Sequence, residues 1–159
     1  MFKVNDKVIH AREGLSTIVN ITTMGDREYF VIHANRGGGE NIYVLTNNTS
    51  NIIRPIMDEQ AAREVIKYMK TVVAEFISNT KQRRDQYKKR LLSGNVLDLA
   101  YLSRQLYFYN YYNANGQPIK LGPTDVQMLK DAEMILFDEF ALSFNKPREE
   151  VINFVSGLF

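Results

Sequence analysis

The sequence predicts an α+β protein, with a small β-barrel or strongly bent antiparallel sheet over residues 1–56 and an all-helical module over 57–159. Three observations predict it. Residues 2–45 fall into short runs of β-branched and aromatic residues separated by turn signals. Past residue 57 the apolar residues change to three- and four-residue spacing. Between the two lies TNNTSNIIRPIM (46–57), a turn-rich passage containing Pro55 that reads as the way out of the β module.

Four runs carry the strand chemistry: KVIHA (7–11), LSTIVNITTM (15–24), REYFVIHA (27–34) and ENIYVL (40–45). The turns between them are Arg12-Glu13-Gly14, Gly25-Asp26 and Arg36-Gly37-Gly38-Gly39, where glycine supplies the positive φ of tight hairpins. Four or five short strands bury little while flat, so strong bending or closure is expected. The glycine triplet is not read as a phosphate loop, because a strand follows it and no Gly-Lys-Ser/Thr ending is present.

Asp58 is placed to cap a helix over roughly 59–78. Its stripe is Ala62, Val65, Ile66, Met69, Val72, Val73, Phe76 and Ile77. A basic helix follows within KQRRDQYKKRLLSGN (81–95), with Tyr87 and Leu91 on one face and Gly94 suited to its end. Asn95 then caps a helix to about 112, with Asp98 in the third-position role of a capping box. Val96, Leu99, Leu102 and Leu106 give it an apolar edge, and Tyr107 to Tyr112 make its end aromatic. Pro123 starts a helix to about 143, lined by Met128, Leu129, Ala132, Ile135, Leu136 and Phe140. A last helix covers 147–155, with Val151, Val155 and Phe159 turned inward.

A net charge of +2 is nearly balanced, so any basic surface must be local. The chain has no cysteine, which excludes disulfides, thiolate chemistry and cysteine-ligated zinc. MFKVNDKV lacks the apolar run of a signal peptide, and no stretch of about 20 apolar residues suits a membrane span. The chain therefore reads as cytoplasmic. His10 and His33 lie in predicted strands without a matching carboxylate motif, and both read as structural. Glu149 and Glu150 favour a helix N-terminus, while Asp131, Glu133, Asp138 and Glu139 read as a solvated face. No nucleophile–base pair, metal site, cofactor site or small-molecule substrate site is expected, and the chain reads as a non-enzyme.

What remains is binding. Lys81, Arg83, Arg84, Lys88, Lys89 and Arg90 place six cations in ten residues against one acid, Asp85. On composition this is equally a phosphate-contacting helix or a solvated one. Lys81, Arg84 and Lys88 flank the Tyr87 stripe on one side, with Arg83 and Arg90 on the other. The aromatics 107–112 suit either base stacking or interhelical packing.

The order of these features resembles the CarD family of bacterial transcription regulators. The resemblance rests on FKVNDKVIHAREG, then Tyr29-Phe30-Val31-Ile32, Ile42-Tyr43-Val44 and Ile53-Arg54. It continues in YKKRLLSGNVLDLAYLSRQLY and KLGPTDVQMLKDAEMILFDEFALSFNKPREEVINFV, and so spans nearly the whole chain. It implies a Tudor-like domain at 1–56 that docks on the β subunit of bacterial RNA polymerase, as the related domain of transcription-repair coupling factor does. Pairing through an edge strand would supply backbone hydrogen bonds. Met24, Ile42, Tyr43 and Val44 fall where the family faces the polymerase.

The resemblance also implies that the helical domain, 57–159, contacts promoter DNA at the upstream edge of the bubble and stabilises the open complex. Thr80, Lys81, Arg83, Arg84 and Lys88 are the matching positions. Many members of the family carry a tryptophan wedge where this chain has Thr80, and the chain contains no tryptophan. A polymerase-binding adaptor without DNA contact is the alternative.

Overall fold

In a computed structural model, residues 1–73, 75–107 and 120–158 are described. The chain divides into two compact units, Met1–Ile56 and Met57–Phe159.

The first unit is an open five-stranded antiparallel sheet: β1 (Lys7–His10), β2 (Gly14–Met24), β3 (Arg27–Ala34), β4 (Ile42–Leu45) and β5 (Ile53–Pro55). Its spatial order is β4-β3-β2-β1-β5, which makes β4 and β5 the two edges. Each of the four predicted strand runs contains a strand. The fifth, Ile53–Pro55, lies inside the stretch that reads as a passage out of the sheet. Three residues are too few to show alternation, and Pro55 demotes the segment locally. Pairing with Val8, Ile9 and His10 of β1 makes it a strand all the same, and a sheet edge is where proline is tolerated.

Alternation decides which side chains enter the core. Val8, Ile18, Phe30, Ile32, Val44 and Ile53 form the buried cluster, with Phe2, Ile42 and Ile52 packed against it. Gly25, at φ 66°, makes the β2–β3 turn in a conformation that L side chains rarely adopt. A bulge between Ile18 and Asn20 of β2 shifts the register against β3, and bulges of this kind bend and twist a strand.

The second unit contains α1 (Glu59–Thr71), α2 (Thr80–Leu91), α3 (Val96–Tyr107), α4 (Pro123–Ser143) and α5 (Arg148–Ser156). Asp58 caps α1 as expected, accepting from the Ala61 N–H at 2.8 Å. The predicted continuation of this helix to 78 is not observed. Val72 leaves the helix at ψ 134°, its N–H still bonded to the Tyr68 carbonyl. Thr71, Val72 and Val73 are consecutive β-branched residues, which lose side-chain freedom in a helix. The apolar spacing runs on past the helix because Phe76 and Ile77 are partly buried in the connection to α2.

α4 packs against each of the other four helices. Leu129, Ala132, Ile135, Leu136, Phe137 and Phe140 are buried along it. The expectation of a solvated acidic side on this helix is overturned at Glu139, which is fully buried. Its Oε1 accepts the Met57 N–H at 2.9 Å, and Ser143 Oγ donates to the Met57 carbonyl at 2.8 Å. Both main-chain polar groups of Met57 are thus satisfied by α4, where leaving them unpaired would be costly. Asp138 and Glu133 pair with Arg148 at 3.0 and 3.8 Å, joining α4 to α5. The expected aromatic run 108–112 and the packing of Phe159 lie outside the described residues.

Candidate functional site

β4 is an edge strand, bonded to β3 on one side only. Its side chains alternate as the period of two requires. Val44 is 3% exposed and Ile42 packs on the core, whereas Tyr43 is 46% exposed on the opposite face. Of the three β4 residues expected to face a partner, only Tyr43 projects its side chain outward. The Thr46 N–H bonds the Glu28 carbonyl at 3.1 Å, so in this register Ile42 and Val44 turn their main-chain groups to β3, and Tyr43 and Leu45 turn theirs to the open edge. Met24 stands at the hairpin end of β2, 45% exposed and opposite Arg27.

Around Tyr43 the outer face holds a small polar and aromatic group that motif spacing does not reveal. The Tyr29 ring meets the Tyr43 ring edge-on at 6.4 Å. Asn41 Nδ2 donates to the Tyr43 hydroxyl at 3.3 Å, and Asn41 Oδ1 lies 2.7 Å from His33 Nε2. Tyr29 and His33 alternate with the core residues Phe30 and Ile32, so strand period alone places them on this face.

In the second unit, Asn79 caps α2 by accepting from the Gln82 N–H at 2.9 Å. The six cations of this helix separate into two groups. Arg83 is 7% exposed, and its Nε and Nη2 donate to Asp125 Oδ2 at 3.1 and 2.9 Å. Its Nη1 donates to the carbonyls of Ile77 and Ser78 at 2.9 and 3.4 Å, and its guanidinium stacks 5.0 Å over Phe76. Arg90 bonds Asp98 at 2.7 Å and lies 3.9 Å over the Tyr101 ring. Asp98 therefore serves as an ion-pair partner, where the sequence suggests a capping box.

Arg83, Tyr87 and Arg90 are spaced i, i+4, i+7 and form the packing face of α2. The sequence places Arg83 beside this stripe as a phosphate contact. In the folded unit it lies within the stripe, its guanidinium occupied by Asp125 and the α1–α2 connection. The signal that could have found this is the spacing to Tyr87, together with a carboxylate in the first turn of α4.

Lys81, Arg84, Lys88 and Lys89 remain exposed. Lys81, Arg84 and Lys88 are spaced i, i+3, i+7 and form one outward strip, about 10 Å long at 1.5 Å rise per residue. Arg84 Nε lies 3.6 Å from Asp125 Oδ1, so one buried carboxylate anchors both arginines. Thr80 is exposed at the first position of the helix. Among the described residues, no group of three or more His, Asp or Glu side chains could hold a metal ion. No described helix is long and apolar enough to cross a membrane.

The chain thus joins a small sheet with an edge strand, β4, to a helical unit carrying a cationic strip. The chain belongs to the CarD family. The family model for the CarD-like/TRCF RID domain matches residues 2–57, and that for the CarD C-terminal domain matches residues 64–156. The first of these is Tudor-like, and the protein is a transcription-related, RNA polymerase-interacting protein. Domains of this family are typical of non-enzymatic transcription regulators. No curated protein matches the chain.

Proposed function

We propose that this protein is a non-enzymatic, cytoplasmic transcription regulator that docks on the β subunit of bacterial RNA polymerase and holds promoter DNA at the upstream edge of the bubble. The observation that carries the docking half is the open β4 edge with Tyr43 exposed beside it. An incoming strand would pair with the β4 main chain, and Tyr43, with Met24 further along the sheet, would supply side-chain contact.

The DNA half rests on the outward strip of Lys81, Arg84 and Lys88, with Thr80 at its start. Phosphate contacts position a protein on DNA without reading sequence, so intrinsic specificity is weak. Threonine is too small to serve as an apolar wedge between base steps. The protein therefore stabilises DNA that polymerase has already opened. Arg83 contributes by holding α2 in place.

Binding to forked promoter DNA, with and without polymerase, across a salt series tests this. Lys81→Ala and Lys88→Ala each remove one phosphate-neutralising cation, so each should flatten the log–log salt slope by about 0.9 on the duplex part. A salt response unchanged by both substitutions favours the second reading, a polymerase-binding adaptor without DNA contact. The absence of an aromatic at Thr80 and the engagement of Arg83 by Asp125 are the observations on that side.

A further inference from the structure

The helical unit carries a groove between α1 and the α4–α5 end. A chain of rings leads from the core to its floor. Phe137 meets Phe140 at 5.5 Å, Phe140 meets Phe144 at 6.0 Å, and Phe144 meets Phe154 at 6.5 Å. Phe154 is 50% exposed, and Val151 and Ile66 line the floor beside it. Phe154 is not an isolated exposed side chain, because it continues the ring series and stands over a concave, mostly apolar surface of the kind ligands and peptides occupy.

The rim is strongly one-signed. Arg63, Lys67, Lys70 and Lys146 border the groove, and Glu150 is the one carboxylate among its lining residues. Glu150 is held by Lys146 at 3.1 Å, and Arg63 is held by Glu59 at 2.6 Å while lying 5.4 Å over the Phe144 ring. Lys67 and Lys70 have no ion-pair partner among the described residues. Arg63, Lys67 and Lys70 are spaced i, i+4, i+7, so the positive wall repeats by the turn.

We infer that this groove is a docking site for an acidic amphipathic helix of a protein partner, with an apolar side chain seated against Phe154 and carboxylates along the α1 wall. Charge complementarity selects this occupant. Carboxylates at three- and four-residue spacing on a helix match a cationic column of the same period, and the opposite face of that helix supplies apolar anchors. A duplex nucleic acid, whose bases are already stacked on one another, would answer the cations and leave the aromatic floor unused.

The test titrates the full-length 15N-labelled chain with a synthetic helical peptide that has leucines on one face and glutamates along its flank. A second peptide replaces every glutamate by glutamine. The expected result is a set of amide shifts clustered at Ile66, Phe144, Val151 and Phe154, with the acidic peptide binding several-fold tighter and losing that advantage at high salt. Phe154→Ala should weaken binding about tenfold. Lys67→Gln combined with Lys70→Gln should bring the two peptides to equal affinity. All three positions are exposed, and the amide spectrum of each variant verifies its fold.

Equal binding of both peptides, shifts elsewhere, or no binding would overturn the inference. So would displacement of the acidic peptide by a duplex oligonucleotide, by anionic lipid vesicles or by self-association of the chain.

Discussion

Asp125 has no exposed surface and receives two hydrogen bonds from Arg83 on one oxygen, with Arg84 beside the other. Removing one partner of a buried pair leaves an uncompensated charge, which costs about 3–5 kcal/mol. Asp125→Ala should therefore lose about that much in urea denaturation, whereas Lys81→Ala on the same unit's surface should stay within about 0.5 kcal/mol. Arg83→Ala would consequently weaken DNA binding by loosening α2 and not by removing a phosphate ligand. His10 gives the first unit a different sensitivity. Its Nδ1 accepts the Arg12 and Glu13 N–H groups at 3.1 and 3.2 Å, which requires an unprotonated Nδ1. Burial holds the imidazole below its ordinary 6.5, with the Glu13 carboxylate opposing this and the Arg12 guanidinium adding to it. Because the folded pKa is the lower one, this stabilisation is complete above 6.5 and is lost as pH falls through the folded value. Denaturation of the wild-type chain between about pH 5 and 7 should show stability dropping with acidity, and His10→Gln should flatten that slope.

At the level of elements, the two capping residues are where local sequence acts most directly. Asp58 and Asn79 each accept one N–H of the first turn, at 2.8 and 2.9 Å. Replacing either with alanine should cost about 0.5–2 kcal/mol in chemical denaturation. Asn79→Ala should also reduce DNA affinity in proportion to the loss of α2, while Asp58→Ala should not. Asp58 was legible in the sequence because a cap is a local signal. The strand runs and Pro123 were legible for the same reason, and so was the α+β order, since each follows from neighbours in the chain. Glu139, Asp125 and Arg83 were not legible in this way. Each is a charged residue whose burial is offset by a partner dozens of positions away, and although the spacing to Tyr87 could have put Arg83 on the buried face, no local period names such a partner. The end of α1 at Thr71 was lost for a related reason. Phe76 and Ile77 keep the helical spacing, but they are partly buried outside any helix, where Arg83 bonds the Ile77 and Ser78 carbonyls. β5 is a strand only because β1 lies beside it.

For the whole molecule, the division into Met1–Ile56 and Met57–Phe159 separates the two proposed contacts onto units that each hold a hydrophobic core. Substitutions on the two surfaces should therefore separate the two activities within the full-length chain. Tyr43→Glu places a charge beside the open edge of β4 without touching the buried Val44, so it should leave the fold intact and reduce capture of the polymerase β subunit. In the proposed arrangement DNA contact depends on docking to the polymerase, so the same substitution should also reduce open-complex stabilisation. Lys81→Glu combined with Lys88→Glu should leave capture of the β subunit unchanged while lowering the lifetime of the open complex. The order of dependence is the informative part. The proposed contact through the cationic strip would be weak and sequence-independent, so the proposed docking at β4 would have to supply the local concentration that makes it effective. Co-precipitation of the β subunit and heparin-challenged open-complex lifetimes, measured on both variants, distinguish this from the adaptor. If Lys81→Glu with Lys88→Glu leaves the lifetime unaltered while Tyr43→Glu shortens it, the protein acts through polymerase alone and the cationic strip serves another purpose.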